Sequence, residues 1–324
     1  MKKRSTAESR LSGGYLACLI LFLTLFACGK EKRSEKKGEK MQDFIIGISR
    51  YARAFDADFI VVPQNGVELA FNGLDKEGGL NASFMDAIDG FGVEELFYNG
   101  ALSVDDYRVD LCREIAKKKK IMVADYLENV SYEADAVQRN LNEGFICFPR
   151  RPTNYDYLEV PQEVINLNSL DVSKLSEAKN YLYLISSNAF ANREDMLTAL
   201  KGTNFDVLII DAFFGDEIWN ASEINQLKVK ANGGKRLVLS YMSIGSAEKY
   251  RYYWKEDWKL HKPRWLKKPY EGYEDEIWVK YWKQDWQDII YGNDASYTKK
   301  ILDAGFDGVY LDNVEAYYFL YFDE

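Results

Sequence analysis

The feature that most constrains this chain is an alternation that begins near Met41. Short apolar runs, bounded by polar residues or glycine, alternate with stretches whose apolar residues recur at helical spacing. The runs at 59–66 (FIVVPQNG), 121–126 (IMVADY), 206–211 (DVLIID) and 237–242 (LVLSYM) have the length and composition of buried strands. The spacing predicts helices over 42–54, 83–89, 105–119, 132–143, 193–201, 221–232 and 294–304. In the first of these, Phe44, Ile45, Ile48, Tyr51 and Ala52 share a face. Such alternation predicts βα units around a parallel sheet. Nine strand candidates are present; those not yet named lie at 92–100, 144–149, 181–186, 277–282 and 306–312. Eight strands close a TIM-type (β/α)8 barrel, and 41–324 is expected to be one such domain. The weakest candidates are 145–149 and 277–282, and a doubly wound open sheet is the alternative. Residues 150–178, with Pro152 and Pro161, form the one long irregular stretch and separate two halves.

Ahead of the barrel pattern the chain changes character. Residues 1–10 are basic, and 15–27 (YLACLILFLTLFA) are apolar but short for a bilayer span, which is the pattern of a secretory signal peptide over 1–27. Leu25, Phe26 and Ala27 before Cys28 resemble the processing site of bacterial lipoproteins. Cys28 is then the expected lipidated first residue, and the highly charged stretch 28–40 the expected disordered tether. The expectation is an exported protein, periplasmic or at the cell surface, held on a membrane surface by a lipid anchor.

Composition removes several kinds of chemistry. The formal charge is −9 even with the basic leader counted, which argues against a nucleic-acid partner. His261 is the only histidine and lies in the charged run KLHKPRW, so histidine-based triads have little to stand on. The cysteines, Cys18, Cys28, Cys112 and Cys147, lack metal-ligand spacing. No glycine-rich phosphate loop follows the early strands, and no cofactor is expected. Carboxylates are the abundant reactive groups. All 7 tryptophans lie within 219–286, so the aromatic-rich segment 252–286 is expected to cover the site.

The expected strand ends carry the candidate chemistry. Asn65 closes FIVVPQN, Glu95 lies in GVEELFY, and Asp125 and Tyr126 close IMVADY. Asp211 closes DVLIID, Tyr241 and Glu248 belong to LSYMSIGSAE, and Asp312, Asn313 and Glu315 belong to YLDNVE. In a parallel barrel these positions converge on one rim. Taken alone, Glu248 also reads as a polar helix start paired with Arg251 or Lys249. Carboxylates gathered from several strands repel one another, which stability alone does not explain. Two of them suffice to hydrolyse a glycosidic bond, one as acid and one acting at the anomeric carbon. Two other readings stay open: a divalent cation held by Asp211, Asp312 and Glu315, and a carbohydrate-binding protein without turnover.

The stretches VLIID, SYMSIGSAEKYRYYW, GFDGVYLDNVEAY, PQNGVEL and VEELFY together resemble glycoside hydrolase family 114, the endo-α-1,4-polygalactosaminidases and their prokaryotic relatives. The resemblance covers nearly everything from Met41 onward. It implies a (β/α)8 barrel acting on a polysaccharide, galactosamine-containing polymers being the family's substrates. It places the catalytic carboxylates on Asp211 and Glu248, with Glu248 expected as the acid and Asp211 as its partner. The other rim residues fall on Asn65, Glu95, Asp312, Asn313 and Glu315. Many relatives carry Glu where this chain has Ser246, which leaves Glu248 as the only carboxylate of that loop. In the family the segment ending DNVEAY lies mid-chain and precedes the counterpart of 42–66; here it follows. The resemblance therefore implies a circularly permuted order, with strand 59–64 parallel to strand 308–312 and with 150–178 joining the old ends.

Overall fold

The computed structural model describes residues 13–320, with side chains from Lys32 onward. The expected signal peptide and the expected lipidation at Cys28 fall outside the side chains so described. Among the described residues no helix is long and apolar enough to cross a membrane.

Helix α1 (Gly13–Arg53) brings Met41, Phe44, Ile45, Ile48 and Ala52 into the core at 0% exposure. The charged run expected as a disordered tether is helical over its described part, 32–40, and Ser34 and Gly38 are buried. The protein surface holds this turn in place: the Tyr281 hydroxyl donates to the Lys37 carbonyl at 2.7 Å, and the Lys37 ammonium stands 3.5 Å from the centre of the Trp282 ring.

Eight parallel strands follow the expected order: β1 (Ile60–Pro63), β2 (Gly90–Leu102), β3 (Lys120–Leu127), β4 (Ile146–Cys147), β5 (Leu182–Leu184), β6 (Val207–Asp211), β7 (Leu237–Ser243) and, after three strands of another sheet, β11 (Gly308–Asp312). Hydrogen bonds order them β1-β11-β7-β6-β5 in one sheet and β2-β3-β4 in a second. The amides of Asp89 and Asn65 stitch β2 to β1 by donating to the carbonyls of Val61 and Gly92 at 2.9 and 2.8 Å. The expected parallel pairing of 59–64 with 308–312 is present, with Ile60 opposite Gly308 and Pro63 opposite Leu311. A Cβ on Gly308 would lie 2.3 Å from the Ile60 carbonyl oxygen, so this contact of first and last strand requires glycine.

The sheet does not close. No ladder joins β4 to β5, so the expected barrel is present as a (β/α)8-like parallel sheet open at one seam. The physical reason is local. Strand β4 is only two residues long, and the amides of Ile185 and Ser186, just past β5, donate instead to the carbonyl of Tyr157 in the 150–178 link. The rings of Phe148 and Tyr181 face each other across the seam at 5.8 Å.

Helices α2 (Ala82–Ala87), α3 (Asp106–Ala116), α4 (Glu133–Asn142), α5 (Arg193–Lys201) and α6 (Ala221–Leu227) connect the strands. Four of them start on a side chain that accepts from the first turn: Asn81, Asp105, Asn192 and Asn220. Each satisfies an amide that the helix itself leaves free. The ninth strand candidate, 277–282, is not a barrel strand. It overlaps β10 (Tyr273–Val279), the middle of an antiparallel sheet with β8 (Ser246–Glu248) and β9 (Leu266–Tyr270). Two helices, α7 (Gln284–Ile290) and α8 (Tyr297–Ala304), lead from this sheet back to β11. Trp219, Trp265, Trp278 and Trp286 are buried, so much of the tryptophan cluster is packing rather than platform.

Candidate active site

The C-terminal ends of the strands open into a cleft of about 680 Å³. Of the residues expected on its rim, Asn65, Asp211, Tyr241, Asp312, Asn313 and Glu315 line it. The short antiparallel sheet leans over one side and contributes Tyr270, Tyr273 and Glu276. Two loops cross beneath the site, and a Cβ on Gly245 would meet the Asn313 carbonyl oxygen at 1.8 Å. Asn65, Glu95 and Asn313 adopt φ of 60°, 54° and 60°. Asparagine tolerates that left-handed region and glutamate does so rarely, so strain is concentrated where the candidate residues sit.

One wall is an ion-pair relay. Arg251 donates from Nε to Glu248 Oε2 at 2.6 Å, from Nη2 to Glu248 Oε1 at 3.0 Å, and from Nη1 to Asp211 Oδ1 at 2.8 Å. Tyr250 adds a hydroxyl donated to Glu248 Oε1 at 2.6 Å. Glu248 is 1% exposed and stands behind Tyr250 and Arg251, which line the cleft in front of it. Burial disfavours the charged form of the Arg251 guanidinium, but the charges of Asp211 and then Glu248 outweigh it and hold its pKa well above the usual value. The pairing with Arg251 that the bare sequence allowed is therefore real, and it coexists with a place in the site.

A second group of carboxylates in the site is pushed toward the protonated form. Asp312 sits at the end of β11, where burial and the nearby Glu94 charge push its pKa up to about 7. The Tyr241 hydroxyl, donating to Asp312 Oδ2 at 2.6 Å, and the Asn313 amide oppose that rise. Glu315 is pushed up to about 8 by burial, then by Asp312 and Glu94. Glu276 is pushed up to about 8 by burial, then by Glu248, although the Ser246 hydroxyl donates to its Oε2 at 2.5 Å. Asn313 fixes this region by donating to the hydroxyls of Ser243 and Ser246 at 2.9 and 3.1 Å.

Three expected site residues are elsewhere. Asp125 is fully buried and accepts from the amides of Phe97 and Tyr98 and from Asn140 Nδ2 at 2.8–3.1 Å. It pins the irregular part of β2 and does not reach the cleft. Glu95 turns to Arg150, whose Nη2 donates to its Oε1 at 2.7 Å, while its neighbour Glu94 lines the cleft instead. The register shift in β2 between Glu94 and Asn99 decides which of the two glutamates faces in. Tyr126 packs against Tyr155 and under the Arg150 guanidinium, beside the cleft rather than in its wall.

Sequence reasoning passed over Glu94, Arg150, Tyr157 and Glu276. Glu94 accepts from Asn65 Nδ2 at 3.2 Å and from the Tyr157 hydroxyl, and pairs with Arg150 at 3.5 Å. The doublet Glu94–Glu95 is the local signal in the sequence, and it is Glu94 that lines the cleft; Tyr157 and Glu276 have no local signal. Asp211, Asp312 and Glu315, the set that could hold a divalent cation, are divided among these networks. Asp211 is held by Arg251 and Asp312 by Tyr241, and among the described residues no three His, Cys, Asp or Glu side chains converge as a metal site.

Parallel βα units with a carboxylate-rich cleft at the strand C-termini define a (β/α)8-type protein whose site is built from loops. Residues 176–323 match the family model described as Glycoside-hydrolase family GH114, so this segment of the chain is similar to that family. It is 33% identical over 151 residues to an uncharacterized protein of Methanocaldococcus jannaschii, covering 46% of this chain and 41% of that one. An uncharacterized protein of Thermotoga maritima is 33% identical over 124 residues, covering 36% and 35%. One of Deinococcus radiodurans is 34% identical over 122 residues, covering 37% of each. The matched part thus spans well under half of each of these curated relatives.

Proposed function

We propose that this protein is a glycoside hydrolase that cleaves a polysaccharide in the rim cleft by carboxylate chemistry. The observation that carries the reading is the division of the cleft's carboxylates. Asp211 and Glu248 are joined by one guanidinium, whereas Asp312, which also lines the cleft, holds its proton to about pH 7. A carboxyl group that keeps its proton, in one cleft with carboxylates engaged by a guanidinium, is what acid-assisted glycoside cleavage needs. Glu248 was expected to be the acid; with both oxygens engaged by Arg251 it suits the anionic half better. Asp312 then protonates the leaving oxygen. Asp211, which faces the cleft, acts at the anomeric carbon or on the attacking water, with Glu248 and Arg251 completing its half of the site.

The substrate class we favour is a polymer containing galactosamine with free amino groups. Glu94, Asp156, Glu274 and Asp275 add to the acidic lining, while Arg150 and Arg251 are both engaged by carboxylates. An excess of negative charge favours a cationic ligand. We further read the chain as an exported lipoprotein anchored through Cys28, and as a circular permutant. Support for the latter is that the family match is confined to 176–323, while the one unpaired seam, β4 to β5, lies where the old ends would meet.

A reducing-end assay over deacetylated galactosaminoglycan and a panel of other polysaccharides tests the activity. New reducing ends from an amino-sugar polymer, insensitive to chelator, are the expected result. Binding without turnover on every polymer would leave a lectin-like protein, and loss of activity to chelator would favour a cation-dependent hydrolase.

A further inference from the structure

A second depression, a groove of about 580 Å³, lies beside the cleft and shares none of its lining residues. Its lining includes Trp254 and Trp258 together with Asp285 and Asp288 of α7. The two indoles meet edge to face, 5.4 Å between centres and 74° between planes, and both stay partly exposed. Trp258 is braced from behind by the buried Trp265 at 5.0 Å. Packing therefore holds these rings in place while leaving surface free.

The groove adjoins the cleft through one pair of rings. Phe213 lines the cleft, Tyr252 lines the groove, and the two stack at 5.6 Å with 24° between planes. The Tyr252 hydroxyl also donates to the carbonyl of Ala295, another lining residue of the groove, at 3.3 Å. Helix α8 runs back toward β11, so the loop that precedes it lies at the end of the sheet where Asp312 stands. Both depressions accordingly open on the same end of the molecule.

We propose that the groove binds a stretch of the polysaccharide that is not being cleaved. Sugar faces rest on Trp254 and Trp258, and sugar ammonium groups are drawn to Asp285 and Asp288. The proposal rests on the glycosidase reading for the identity of the ligand. Apolar sugar faces lose water against indole, and an ammonium near an indole face gains cation–π attraction. Both aspartates are exposed to solvent at the rim. The ammonium of Lys255, 5.7 Å from the Trp258 ring centre, shows that a cation is accommodated there; a bound ammonium would compete with it. A polymer lying across the Phe213–Tyr252 ridge occupies cleft and groove together, and two weak contacts on one chain reinforce each other.

The test uses the full chain carrying Asp211→Asn, so that binding is read without cleavage. Affinity electrophoresis in gels containing deacetylated galactosamine polymer is compared for this protein and for the same protein with Trp254→Ala and Trp258→Ala, or with Asp285→Lys and Asp288→Lys. Either pair should weaken polymer binding about tenfold, a loss of roughly 1.4 kcal/mol. In the otherwise unaltered enzyme, the same pairs should leave turnover of a short oligomer that fills only the cleft unchanged. If the tryptophan pair disturbs folding by circular dichroism, the exposed aspartate pair decides alone. Unchanged polymer binding in the folded variants, or no polymer binding by the starting protein, overturns the groove. A protein that binds through the groove yet cleaves no polysaccharide overturns the glycosidase reading and keeps the groove.

Discussion

Glu248 and Glu276 stand directly opposite each other in the antiparallel pairing of β8 with β10. Two like charges at such a position destabilise a sheet. Here the conflict is resolved by chemistry: Glu248 is clasped by Arg251, and Glu276, pushed up to about 8, keeps its proton at neutral pH and takes a hydrogen bond from Ser246. The antiparallel sheet thus brings the Glu276 carboxyl to the Ser246 loop.

That arrangement makes stability depend on pH. The pKa of Glu276 in the folded protein lies above its ordinary 4.5, so its contribution is full below about 4.5 and is lost as pH rises through about 8. Asp312 and Glu315 act in the same direction. Thermal melts should show the midpoint falling between pH 5 and pH 9, and Glu276→Gln should reduce that fall. A variant whose melting curve follows the parent's pH dependence would show that Glu276 does not titrate in this range.

The anionic half of the site should be sensitive to loss of either charge. Asp211→Asn and Glu248→Gln should each lower kcat on the cleaved polymer by roughly 10²–10⁴-fold with circular dichroism unchanged. Near-normal turnover in either variant removes that residue from the mechanism.

Asp312 sets the alkaline side of the activity profile. If it delivers the proton, kcat/KM should decline as pH rises through about 7, because the acid form is lost. Tyr241→Phe removes a hydroxyl that favours the ionised form and should move this limb to higher pH. A limb that stays in place on that substitution would assign it to another group.

Lys230 and Asp206 form a fully buried ion pair at 2.5 Å that ties the 150–178 link to the sheet. Lys230 also donates to the Leu170 carbonyl at 2.7 Å, and Asp206 accepts from the Lys179 amide at 2.8 Å. Asp206→Ala leaves the ammonium buried without its counter-charge and should cost about 3–5 kcal/mol in urea unfolding. A loss well under 1 kcal/mol would mean the link relaxes and admits water.

The sequence by itself determined the alternation of strands and helices, and with it the parallel sheet and the rim on which Asn65, Asp211, Asp312 and Glu315 meet. Those follow from periodicity, cap residues and strand ends, all of which act over a few neighbours. The pairing of β1 with β11 was legible through the resemblance, and the structure adds the close approach that Gly308 permits. Only the tertiary structure decided that Glu94 faces the cleft and Glu95 does not, because an irregular register in β2 turns the side chains over. It alone decided that Asp125 is spent on backbone amides and that Glu276 reaches the site from a strand more than two dozen residues beyond Glu248. The open seam at β4 and β5 is likewise set by where the Tyr157 carbonyl lies in space. These outcomes depend on which distant backbone group satisfies a donor or excludes water from a carboxylate, and no local pattern of residues records that.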